Sequence, residues 1–192
     1  MPRRSPAHRA AVGAALALAV ALAGCAAPAE PASEPTPTKT AVAPIFTSDE
    51  EALAAVDAAL TRFFDVVGDV GEDGGDDAER VLSVTTGPAA DEHLEYLQTL
   101  SAEQLTVQGR STFDSVRLVE RYQNDARATA VAYYCVDSSS TRLLDSNGDD
   151  VTPSGRRERT PLTGTFVSRE AASPDLVLSE VTAWDGSDFC SP

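Results

Sequence analysis

The sequence predicts an α+β domain in which three N-terminal helices pack on a curved antiparallel meander sheet. Three observations predict it. Apolar residues recur at three- and four-residue intervals up to Leu100, the period changes to two after Gly109, and turn residues separate the later β-branched runs. Runs joined by short links pair as antiparallel neighbours, and helices that precede such a meander cover one of its faces.

The first helix is expected to start at Ser48-Asp49-Glu50-Glu51, a capping box in which the Ser48 hydroxyl accepts from the Glu51 amide. Ala52, Leu53, Val56, Ala59, Leu60, Phe63, Phe64 and Val67 then form one apolar stripe, and Gly68 is expected to end it. Residues 68–77 read as an acidic, Gly-rich loop. They lack the alternating ligands and the later bidentate Glu of a helix-loop-helix calcium site, so the reading is a solvated loop. A short helix over 77–84 and another over 88–100 follow, the latter with Pro88 in its first turn and Leu94, Leu97 and Leu100 on one side.

Strands are expected over 112–122, 126–137, 161–169 and 175–184, with a shorter pair near Leu143-Leu144 and Val151. Gln123-Asn124-Asp125 links the first two, and Asp145 through Asp149, which contains Asn147-Gly148, links the shorter pair. Asp145, Asn147 and Asp149 alternate as calcium ligands would, but a tight turn accounts for the same residues.

Ahead of this domain stands an address. Arg3, Arg4 and Arg9 precede an apolar run from Ala10 to Gly24 that is too short for a permanent membrane span and ends in small residues. Residues 1–24 therefore read as a signal peptide. Leu22-Ala23-Gly24-Cys25 looks like a bacterial lipobox, which places the Cys25 thiol for thioether lipidation; two acyl chains give an anchor that one alone does not. Residues 25–47, with Pro28, Pro31, Pro35, Pro37 and Pro44, read as a lipidated, disordered Pro/Ala/Thr linker, and 48–192 as the domain. The sequence leaves the export route, general secretory or twin-arginine, open.

Composition excludes more than it assigns. Asp and Glu number 30 against 15 Lys and Arg, a formal charge of -15, which removes the cationic surface that nucleic acid requires. Hydrophobic residues at 42% supply a core, and aromatic residues at 6% make that core mostly aliphatic. No His or Cys metal set and no Gly-rich phosphate loop is present, so no cofactor is expected. With Cys25 assigned to lipid, Cys135 and Cys190 remain, and outside the cytosol such a remainder is expected to pair.

The order of amphipathic helices and meander, with Tyr133-Tyr134-Cys135-Val136-Asp137 in mid-sheet, Asp145 through Gly148 in the next turn and a terminal Cys190, resembles the small actinomycete lipoproteins that carry a nuclear-transport-factor-2-like domain. The likeness spans about residues 48–190; it departs at Leu176, where similar domains often have tryptophan. It implies a conical cavity between sheet and helices, which relatives use either for isomerase and dehydratase chemistry or for binding. His93, flanked by Glu92 and Glu95, reads as a surface histidine, and Asp114, Asp137 and Tyr122 as alternative base and donor in such a cavity. None is assigned as catalytic. The expectation is a lipid-anchored binding or interaction domain on the extracytoplasmic face of the cell membrane, with an unknown protein or a small apolar ligand as partner. A small enzyme of lyase or isomerase type is the alternative.

Overall fold

A computed structural model describes residues 42–190; the leader, Cys25 and the linker up to residue 41 lie outside the described residues. Helix α1 (Asp49–Glu72) begins at the capping box. Ser48 Oγ accepts the Glu51 N–H at 3.2 Å, while the Glu51 carboxylate accepts the Thr47 N–H at 2.7 Å and its hydroxyl at 2.9 Å. Ala52, Val56, Ala59, Leu60, Phe63 and Val70 form its buried stripe.

The helix does not end at Gly68 but runs on to Glu72, because this last turn buries Val70 and Gly71. A Cβ on Gly68 would stand 2.9 Å from Arg110 Nη1, and one on Gly71 3.3 Å from Val107. Beyond it, Ala78–Ser83 forms a six-residue 3-10 turn. Asp77, in the left-handed region at φ 54°, gives it no side-chain cap. The chain is then drawn onto the sheet at once: the Thr86 N–H donates to Leu178 O at 2.9 Å and the Leu178 N–H to Val84 O at 3.2 Å. A second turn of α-helix has no residues to form from.

The expected three-helix, nuclear-transport-factor-2-like arrangement is thereby corrected. Among the described residues only α1 and α2 (Gly87–Glu103) are α-helices, and strands of a second, separate sheet flank the region where one meander was expected. Helix α2 carries Pro88 in its first turn, buries Ala89, Ala90, Leu97 and Leu100, and stops at Gln104 in the left-handed region.

Strands β1 (Thr106–Gln108) and β4 (Arg142–Leu144) make the two-stranded sheet. The larger sheet runs β2-β3-β5-β6, all antiparallel, from β2 (Thr112–Asn124), β3 (Arg127–Asp137), β5 (Arg159–Ser168) and β6 (Leu176–Ala183). In place of a strand at Val151 there is one bridge between Leu144 and Asp150.

Strand β3 alternates up to Tyr134, with Ala128, Ala130, Ala132 and Tyr134 buried toward the helices, and Cys135 is buried as well. Three small side chains followed by one large one grade that face along its length. Leu60, Leu97, Phe166 and Leu178 fill the layer between sheet and helices, each contributing on the order of 1.5–3 kcal/mol by burial. Residues just before α1 are also tied to the sheet: Gln123 accepts the Ile45 N–H at 2.8 Å and donates to Ala43 O at 3.2 Å, and Phe46 joins the core. No helix among the described residues is long and apolar enough to cross a membrane.

Candidate functional site

At the Tyr134 end of the sheet, the helices and strands leave a cavity of about 420 Å³. Phe63, Phe64, Val67 and Gly68 of α1 form one wall; Glu92, His93 and Tyr96 of α2 form a second; Tyr134, Val136, Leu162 and Val181 of the sheet form the floor. Val107, Gly109 and Arg156 close the remaining side. Gly109 is required there, since at φ 80° a Cβ would meet Ser140 O at 2.4 Å and push the β1–β2 link away from the 138–141 turn.

Tyr134 is the least exposed polar residue among those that line the cavity. It is only 1% exposed, yet its hydroxyl has no hydrogen-bond partner among the described residues and borders the cavity. Burial raises its phenol well above the usual range, and the negative charge of Glu92 adds to the effect, so Tyr134 is a neutral donor at any ordinary pH.

His93 is half-buried on the α2 wall, with its ring edge-on to Phe63 at a centroid distance of 4.9 Å. Its Nδ1–H donates to Ala89 O at 2.8 Å, since a carbonyl can only accept. The neutral ring therefore keeps its lone pair on Nε2, which has no partner among the described residues. The expectation of a surface histidine followed its acidic neighbours in sequence; the informative spacing was Ala89, His93, Leu97 and Leu100, which shares one helical face with the buried stripe. Tyr96 keeps 46% of its surface exposed. Its phenol still sits above the ordinary value, because desolvation outweighs the opposing charge of Arg156.

The other candidates lie elsewhere. Asp114 and Asp137 are both engaged by Arg159 at one end of the sheet: Nη2 donates to both Asp114 oxygens at 2.9 and 2.7 Å, and Nη1 to Asp137 Oδ2 at 2.8 Å. Arg159 chiefly holds the Asp114 carboxyl below its usual range. The Ser139 hydroxyl and amide, then Arg159, bring Asp137 down to about 2. Carboxylates so stabilised make poor bases, and neither lines the cavity. Tyr122 is exposed near the far end of β2.

The acidic stretch after Gly68 is held by arginines. Arg110 contacts Asp69 at 2.6 Å and Glu72 at 2.9 Å, and Arg80 contacts Asp69 at 3.2 Å. In the 145–149 turn, Asp145 accepts the Asn147 and Asp149 amides at 2.9 Å each, the geometry of a self-capped turn. Among the described residues no group of three or more His, Cys, Asp and Glu side chains is placed to hold a metal ion.

Cys135 and Cys190 are joined as a disulfide, Cα to Cα 5.5 Å, which pins the tail to β3 on the sheet face away from the helices. The tail brings Trp184 onto Tyr133 at 4.4 Å, with Phe189 6.0 Å from Trp184. Arg159 Nε donates to Cys190 O at 2.8 Å, so one arginine ties two strands and the tail together.

No family model and no curated protein matches the chain. Among solved structures it is similar to the intermembrane space region of chloroplast protein ARC6, at 11% identity over 70% of this chain and 97% of that one, with a TM-score of 0.49. A likeness so distant carries neither activity nor partner to this chain.

Proposed function

We propose that this protein is a lipid-anchored extracytoplasmic domain that binds a small, largely apolar molecule in the cavity between its helices and sheet. One observation carries the reading: a cavity of about 420 Å³, walled mainly by aliphatic and aromatic side chains, that holds the unpartnered hydroxyl of the buried Tyr134. Its size falls within the range of sites for small ligands, and few convergent polar groups in an apolar wall are what orient such ligands. The Tyr134 hydroxyl opens onto the cavity, where a ligand oxygen can take its hydrogen bond in place of solvent.

The location rests on the sequence from Arg3 to Cys25 and on the disulfide, which suits an oxidising compartment. Fractionation checks it: the Cys25→Ala chain is expected to leave the membrane fraction or to accumulate uncleaved. Membrane retention of a processed Cys25→Ala product would reject the anchor.

Ligand binding is tested by melting the Cys25→Ala chain, disulfide intact, against medium-chain alcohols, carboxylic acids and sterols. A ligand at a hundredfold excess over its Kd adds about 2.7 kcal/mol and raises Tm. Val181→Phe, which fills the cavity, is expected to abolish the shift, and Tyr134→Phe to reduce it. Shifts that survive Val181→Phe would place binding elsewhere.

His93 favours a second reading, an enzyme of lyase or isomerase type. Its free Nε2 is a base lining the same cavity as the neutral phenol donor Tyr134, the pair that proton transfer at an apolar substrate needs. Incubating a bound ligand in deuterium oxide separates the readings: exchange at ligand carbon that His93→Gln abolishes belongs to an enzyme, and no exchange to a binding domain.

A further inference from the structure

We infer that the ligand of this cavity is a single-chain amphiphile whose anionic head group is held by Arg156. The inference rests on the proposal that the cavity binds a small apolar molecule, and it adds the class of head group.

Arg156 is half-buried and is the only arginine among the residues that line the cavity. Three hydrogen bonds fix it: Nη1 donates to Thr141 Oγ1, and Nη2 to Ser138 O and Thr141 O, each at 2.8 Å. All three acceptors are neutral. The guanidinium is thus pinned without an ion pair, its charge acting at longer range on Asp150, with two of its five N–H donors unpaired among the described residues.

Arg62, Arg80, Arg110, Arg121, Arg142, Arg159 and Arg169 each contact at least one carboxylate. Among the described residues Arg117, Arg127 and Arg157, like Arg156, show no carboxylate contact, and Arg127 also donates only to carbonyls, but none of the three lines the cavity. A half-buried, preorganised cation beside an apolar cavity is the standard arrangement for receiving a carboxylate or phosphate, because charge-assisted hydrogen bonds gain strength where water is scarce.

Glu92 is the one carboxylate on the wall, and it makes no ion pair with Arg156. Its charge is felt at Tyr134, whereas that of Arg156 is felt at Tyr96. The cavity is therefore polarised between two regions. An anionic head is repelled from the Glu92 side and attracted to the Arg156 side, which leaves the apolar body against Phe63, Phe64, Val136 and Leu162. The neutral Tyr134 donor remains for an uncharged oxygen on that body.

The experiment uses the Cys25→Ala chain with its disulfide intact and three probes of equal length below their micelle-forming concentrations: dodecanoate, dodecyl phosphate and dodecanol. Calorimetric titration at low salt is expected to show at least one anion binding about tenfold or more tightly than the alcohol. That advantage is expected to shrink with added salt and to vanish in Arg156→Gln but not in Arg156→Lys. Whichever anion binds better identifies the head as carboxylate or phosphate. Dodecanol binding as tightly as both anions would overturn the head-group assignment while leaving cavity binding intact, and failure of all three probes would overturn both. Since the wild-type ratio of anion to alcohol is itself decisive, the test survives an Arg156→Gln chain that does not fold.

Discussion

At the scale of single residues, the polar side chains divide by what surrounds their charge. Asp137 and Arg159 satisfy each other at the sheet end, Tyr134 and His93 keep unused hydrogen-bonding capacity inside the cavity, and only the second kind is available for a ligand. The first kind sets a pH dependence. Asp137 falls from its ordinary value of 3.8 to about 2 because the folded chain presents the Ser139 hydroxyl, the Ser139 amide and Arg159 to its carboxylate. A folded value below the unfolded one contributes stability at neutral pH, fully present above about pH 4 and lost as pH falls from 3.8 through 2. Thermal melts across pH 5 to 2 are therefore expected to show a steeper loss in the wild type than in Asp137→Asn. Parallel curves would mean that the Arg159 cluster exerts no net pull on this carboxylate.

At the scale of elements, space decides more than propensity. Gly75 lies at φ 83°, and a Cβ there would fall 2.1 Å from Leu97 O and 2.9 Å from Ser101 N. This is where the loop after α1 crosses the backbone of α2, and neither partner can yield, because both atoms belong to a helix. Gly75→Ala is expected to destabilise the domain by about 2 kcal/mol or more, combining left-handed strain with overpacking, which urea unfolding would measure. Such contacts also explain what the sequence did and did not disclose. The start of α1 was legible because Ser48 and Glu51 act within four residues of each other. Its end was not, since Gly68 and Gly71 answer to Arg110 and Val107, some forty residues downstream. A third α-helix over 77–84 looked adequate by period, but the pull of Leu178 on Val84 and Thr86 is a tertiary event. Strand β4 was legible beside the Asn147-Gly148 turn, whereas its partner β1, at three residues, is too short to express a period of two. In the candidate site, the cysteine pair could be read from number and compartment. Arg156 could not, because its role comes from the distant elements that face it, whereas the spacing of His93 to Ala89 and Leu97 carried a signal that its acidic neighbours obscured.

At the scale of the whole molecule, an acidic chain with a small, alanine-rich core depends on a covalent staple. Cys135 and Cys190 close a span of 55 residues that contains β4, β5 and β6, so the bridge removes many conformations from the unfolded chain. In the loop-entropy model a span of this length gives about 4 kcal/mol, a large part of the roughly 5–15 kcal/mol by which domains are stable. The bridge also seats Trp184 and Phe189 on Tyr133 and presents Cys190 O to Arg159. Its loss would therefore loosen β3 on the strand that supplies Tyr134 and Val136 to the cavity floor. The paired substitution Cys135→Ala with Cys190→Ala is expected to lower unfolding free energy by about 4 kcal/mol in urea and to weaken ligand binding with it. A loss under about 1 kcal/mol would show that the aromatic contacts and Arg159 hold the tail without the bond. A loss of the expected size would confine the working domain to an oxidising compartment, in keeping with the extracytoplasmic location proposed from residues 1–25.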